Sequence, residues 1–234
     1  MIKHIGLLSS LVASAVVTLA ASPAQAQSAL DWASGLASNI QPASNAWNTP
    51  CVISWGDGGT AYSATTNGAC LYTLALKKSD PSITNALLSF WWGSANPGSP
   101  TYHDQIVAGT HFTNITDFAT AQPGDLLAAK YSSATGNTGY LMILASSASE
   151  GISNGVELFH VSVIDSTRAP HGESDSRWNA EANGGHDYGV GTGEIYVYAD
   201  GVTGAILGHT WSTAPNGSYY PQAERDLVVG RFFR

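Results

Sequence analysis

Cys70 stands where a polar stretch, Thr65-Thr66-Asn67-Gly68-Ala69, runs into Leu71-Tyr72-Thr73-Leu74-Ala75-Leu76-Lys77-Lys78. Leu71, Leu74 and Leu76 supply much of an apolar face, Thr66 or Asn67 can cap, and Lys77 and Lys78 suit the negative end of a helix dipole. The pattern predicts a helix with Cys70 in its first turn. Unpaired N–H groups and the positive dipole end favour thiolate there, a common way to make a nucleophilic cysteine. The chain has one other cysteine, Cys51, so a disulfide closing a short loop competes for the same sulfur.

Residues 1–26 read as a secretory signal: Lys3 and His4 near the front, a mostly apolar or small run from Ile5 to Ala20, then Ala24-Gln25-Ala26 as a small-x-small cleavage site. The run is short for a membrane span, so an exported chain, periplasmic or secreted, without an integral membrane segment after cleavage is expected. The formal net charge of −8 becomes −9 without that segment, which holds one lysine and no acids. Such a balance argues against nucleic acid or an anionic membrane surface as partner. Residues 27–60 read as an N-terminal segment and 61–234 as one domain.

Apolar spacing predicts short helices over Ser28 to Ser38, Ile83 to Trp92 and His103 to Gly109. Strands are expected at Cys51 to Trp55, Leu126 to Tyr131, Tyr140 to Leu144, Val156 to Ile164, Glu194 to Ala199, Ala205 to Trp211 and Asp226 to Phe233. The loop from Arg168 to Gly193 is long for a compact domain, which marks it as functional or mobile. Helices first and strands after imply an α+β fold, with the Cys70 helix packed on one face of an antiparallel sheet. His-x-x-x-His and Cys-x-x-Cys spacings are absent, and the glycine clusters follow no phosphate-cradle pattern, so neither a metal nor a cofactor is expected.

The order of these parts resembles the NlpC/P60 group of papain-like cysteine peptidases and amidases, many of which cut peptide bonds in bacterial cell walls. The likeness rests on Cys70 at a helix start, then Pro123-Gly124-Asp125-Leu126-Leu127-Ala128-Ala129-Lys130-Tyr131, then Asn137-Thr138-Gly139-Tyr140-Leu141-Met142-Ile143. Val163-Ile164-Asp165-Ser166-Thr167-Arg168-Ala169-Pro170-His171-Gly172 completes it. It runs from about Cys70 to the C-terminus and is similar to an uncharacterised bacterial branch of the group. The resemblance implies a papain-like fold with Cys70 as nucleophile, its own N–H serving an oxyanion hole, and a peptide or peptidoglycan fragment as substrate.

Two departures stand out. Ala69-Cys70-Leu71-Tyr72 replaces the usual Asp-Cys-Ser-Gly, and Gly139-Tyr140 stands where the group has Gly-His, its general base. An unperturbed phenol titrates near ~10 and does not do an imidazole's work at neutral pH. His171, a short loop beyond the Asp165 strand end, is then the first candidate for a substitute base, and His160 the second or an orienting residue. Asp165 would hold an imidazole N–H. Tyr72 and Trp178, with Trp91, Trp92 and Tyr102, are candidate cleft aromatics. Two functions follow: an exported cysteine amidase or peptidase, or an inactive relative kept as a binding module, with Tyr140 marking the lost base and Cys70 tied to Cys51.

Overall fold

The computed structural model describes residues 23–133, 138–181 and 185–234, with side chains from residue 29 onward. The expected signal segment lies outside the described residues up to position 22, as do Gly136, Asn137 and Gly184. In chain order the elements are α1 (Pro23–Asn39), β1 (Asn45–Trp47), β2 (Val52–Trp55), β3 (Tyr62–Thr66), α2 (Gly68–Ser79), α3 (Asn85–Trp92) and α4 (Ser99–Ala108). There follow β4 (Phe112–Asn114), β5 (Leu126–Tyr131), β6 (Gly139–Ser153), β7 (Val156–Thr167), β8 (Gly189–Asp200), β9 (Ile206–Thr210), β10 (Tyr219–Pro221) and β11 (Arg225–Phe232). The fold is α+β. Among the described residues no helix is long and apolar enough to cross a membrane.

Helix boundaries follow local chemistry. Asn67 caps α2, its side chain accepting the Cys70 N–H at 3.0 Å, and Lys77 and Lys78 occupy the last turn. Thr84 caps α3 in the same way, accepting the Leu87 N–H at 3.2 Å, and Gly93 ends it in the left-handed region. Helix α4 starts at Ser99, before the expected His103, because Pro100 sits in its first turn, where a missing N–H costs nothing.

Eight strands form one antiparallel sheet in the order β10-β9-β8-β7-β6-β5-β11-β4. Alternation sorts the side chains. Leu126, Ala128, Leu141 and Ile143 face a core shared with the helices, while Leu127, Ala129, Met142 and Leu144 face a second core with Phe159, Val161 and Ile195. The sheet curls around that second core until β9 meets β11. Gln222 bridges them: its N–H reaches Leu207 O at 3.0 Å and its side chain donates to Leu227 O at 2.6 Å.

A smaller sheet, β1-β3-β2, was not fully legible: β3 is Tyr-Ser-Ala-Thr-Thr, which reads as polar loop until β1 and β2 pair on either side of it. Strands β4 and β10, three residues each, were likewise unexpected. The domain boundary expected at residue 60 falls within this sheet, between β2 and β3, and α1 sends Leu30, Ala33 and Leu36 into the core that holds Tyr72.

Candidate functional site

Helix α2 opens against the first residues of β6. A Cβ on Gly68 would come 2.6 Å from Leu141 O, so a residue without one is what lets the helix start press on that strand beside Tyr140. Here lies a cavity of about 710 Å³. Asn67, Gly68 and Ala69 form one wall, Gly139 and Tyr140 another, and Asp165 to Ala169 a third, with Trp47, Trp211, Tyr131, Tyr220 and Arg225 completing the lining.

Cys70 takes its expected place in the first turn of α2, but its sulfur is bonded to that of Cys51. The β2–β3 pairing explains this. Cys51 immediately precedes Val52, which registers with Thr65, and the chain then turns into α2, so the two Cα atoms come within 6.1 Å. The nucleophile assignment is therefore corrected: neither cysteine is free. The Cys70 N–H is not an open oxyanion donor either, since Asn67 occupies it.

Tyr140 does line the cavity, and its hydroxyl hydrogen-bonds His209 Nε2. Burial pushes His209 down to about 3, with the positive charge of Arg225 adding to the effect, so near neutrality the ring is neutral and accepts a hydrogen bond from the Tyr140 hydroxyl. Burial, then Tyr131, raises Tyr140 well above its ordinary value, against the opposing pull of Arg225. A phenol so reluctant to ionise beside so weak a base is a hydrogen-bonded pair and does not replace a catalytic imidazole.

His171 and Asp165 are brought together as expected, with Nε2 3.1 Å from Oδ2, but in a closed cluster. The His171 Nδ1 lies 2.7 Å from Trp211 O, so both ring nitrogens face oxygen atoms. Arg177 donates to Asp165 Oδ1 at 2.7 Å and to both oxygens of Asp175 at 2.8 and 2.6 Å. Two carboxylates thus meet one guanidinium and one imidazole, all buried. Burial works against the Asp165 carboxylate, yet Arg177 and His171 outweigh it and hold its pKa below the usual range. Trp211 lies over His171 with centroids 4.2 Å apart and edge-on to Tyr140 at 5.0 Å; it lines the cavity, as Asp165 does, whereas His171, Asp175 and Arg177 do not. His171 as base is corrected on this ground: the ring is fully buried and both its nitrogens are engaged, by Asp165 and by Trp211 O. One signal for the cluster was present in Gly191-Thr192-Gly193, since a Cβ on Gly191 would strike Arg177 and one on Gly193 would strike His171.

The remaining expectations also change. His160 projects from β7 with its side chain 37% exposed, 3.4 Å from Glu194 and 3.8 Å from Glu150, and is absent from the cavity lining. Tyr72 is a core residue, 1% exposed and edge-on to Tyr102 at 5.3 Å, and Trp92 packs on the same ring. Trp178 is exposed on the outer loop, bridged to His186, away from the lining. That loop is held in place: His186 Nε2 meets Arg168 O at 3.0 Å. Among the described residues no three His, Cys, Asp or Glu side chains converge as metal ligands.

Sequence reasoning missed Trp47, Trp211, Tyr220, Arg225 and His209 as site residues. They arrive from separate strands and loops and share no spacing.

No family model matches the chain, and no solved structure matches it. It is similar to an uncharacterized protein of Acanthamoeba polyphaga mimivirus, 29% identical over 192 residues, with 76% of this chain and 82% of the relative covered.

Proposed function

We propose that the protein is an exported, non-hydrolytic binding module of papain-like NlpC/P60 type, which holds a short peptide, such as a peptidoglycan stem peptide, in the cavity between α2 and β6. The Cys51–Cys70 bond carries this reading, because it removes the thiol that acyl transfer would need. The Tyr140–His209 pair supports it: the position where the resemblance calls for a base holds a phenol donating to a neutral ring. The open cavity with aromatic walls fits a ligand site. A disulfide also suits export to an oxidising compartment.

The test is a thiol titration of the native, oxidised protein combined with mass spectrometry of an added stem peptide. The expected result is no titratable thiol and an intact peptide retained by the protein. Two free thiols and a cleaved peptide would overturn the reading in favour of a cysteine amidase. Asn67, Gly68 and Ala69 line the cavity, so a freed Cys70 would stand at its edge. The assay is therefore repeated after dithiothreitol, and cleavage confined to the reduced protein would mark a redox-gated hydrolase instead.

A further inference from the structure

Cations are scarce in this chain, nine Lys and Arg against 17 Asp and Glu. Most are matched: Lys78, Lys130, Arg177, Arg231 and Arg234 each lie within ion-pair reach of an aspartate. Arg168 and Arg225 have no such partner among the described residues, and both line the cavity. The third charged residue in that lining, Asp165, has its two oxygens engaged by Arg177 and His171. The cavity therefore presents two guanidinium groups without a carboxylate partner among the described residues of a strongly acidic protein.

Each arginine is held by aromatic faces. The Arg225 guanidinium carbon sits 3.2 Å from the Tyr220 ring centroid and 4.8 Å from that of Tyr131, and the Arg168 carbon sits 4.8 Å from the Trp47 centroid. A ring covers the face of a guanidinium and leaves its in-plane N–H edge, the edge that pairs bidentately with a carboxylate, for hydrogen bonds; at Arg225 part of that edge already serves the Tyr140 hydroxyl. The two arginines have separate aromatic supports and come from separate elements, the loop after β7 and the start of β11.

Resting on the reading of this cavity as a peptide-binding site, we infer that its ligand is a short acidic peptide with two carboxylates, one received by Arg168 and the other by Arg225. Calorimetric titration of the oxidised protein at low salt tests this with three probes: N-acetyl-alanyl-glutamate, its bis-amide and inorganic phosphate. The dicarboxylate is expected to bind at least about tenfold more tightly than the bis-amide, the loss expected when a charge-assisted hydrogen bond is removed. Arg168→Gln and Arg225→Gln should each weaken it by about tenfold, and added salt should weaken it further. Arg225→Gln removes two stacking contacts, so circular dichroism checks its fold. Arg168 is exposed, and the bis-amide arm needs no variant.

Equal affinity for the two peptides, or an Arg168→Gln protein that binds as well as the parent, would overturn the two-carboxylate inference and leave the cavity as a peptide site. Phosphate binding tighter than the dicarboxylate, with the same arginine dependence, would overturn it in favour of a phosphate ligand. No binding by either peptide would remove both the inference and the reading beneath it. Recovery of cleaved peptide from a protein that still discriminates the bis-amide would remove only the non-hydrolytic part.

Discussion

Two polar regions of opposite character meet at Trp211. Behind it, His171, Asp175 and Arg177 join Asp165, which reaches the cavity wall, in a buried cluster whose donors and acceptors satisfy one another. In front of it, Arg168 and Arg225 meet no carboxylate, and their guanidinium faces rest on rings. The residue types behind the indole are those of a catalytic site, but their bonding capacity is already used. The residues in front look ordinary in sequence yet keep most of theirs. Reactivity depends on which donors and acceptors the fold leaves unfilled, and residue type alone does not decide it.

The sharpest way to break this comparison is to remove a cation from each side. Arg177→Met should leave Asp165 and Asp175 buried without their guanidinium and cost about 3–5 kcal/mol in urea unfolding. Arg168→Gln, on the exposed side, should stay within about 0.5 kcal/mol. Similar costs for both would mean that the cluster behind Trp211 is not the structural element described.

Cys70 belongs with the structural side. Its bond to Cys51, 19 residues away, should contribute about 3 kcal/mol by restricting the unfolded chain, so Cys51→Ser with Cys70→Ser should lower the denaturation midpoint accordingly. An unchanged midpoint would separate the bridge from stability and return attention to its redox state.

His209 sharpens the boundary through pH. Its folded pKa is depressed, so between its ordinary value and about 3 the unfolded chain takes up a proton that the folded chain refuses. Stability should fall as pH drops through that window, by about 2 kcal/mol between pH 7 and pH 5. Unfolding curves of the parent and His209→Asn at both pH values read this out, and identical slopes would show that His209 is not the titrating group. Asp165 acts in a lower window: its depressed pKa stabilises the fold above the ordinary carboxylate value, and that contribution is lost in more acidic solution. A smaller effect than these is expected for Tyr140→Phe, about 1 kcal/mol for one lost hydrogen bond, measured by thermal unfolding.

Local chemistry made part of this visible in the chain. Asn67 before Leu71, Leu74 and Leu76 is enough to predict the α2 start, since a cap and an apolar stripe act within one helix. The alternation in Leu126 to Ala129 and in Leu141 to Leu144 identifies two strands whose two faces enter different cores. The long extension of β6 was hidden because Ser146 to Ser153 is mostly polar and exposed, and its pairing with β7 leaves no apolar period to read. Asp165 and His171 could be paired from their order, but whether that pair faces solvent, substrate or Arg177 depends on how a loop folds back onto β8.

By itself the sequence determined the α+β layout and the Cys70 turn, because each rests on patterns a few residues long. The tertiary structure decided that the two sulfurs met, that both nitrogens of His171 were engaged and that Arg168 and Arg225 were left without a carboxylate among the described residues. Those outcomes depend on distances between residues far apart in the chain, and such distances are fixed only when the sheet curls and the loop after β7 closes over it.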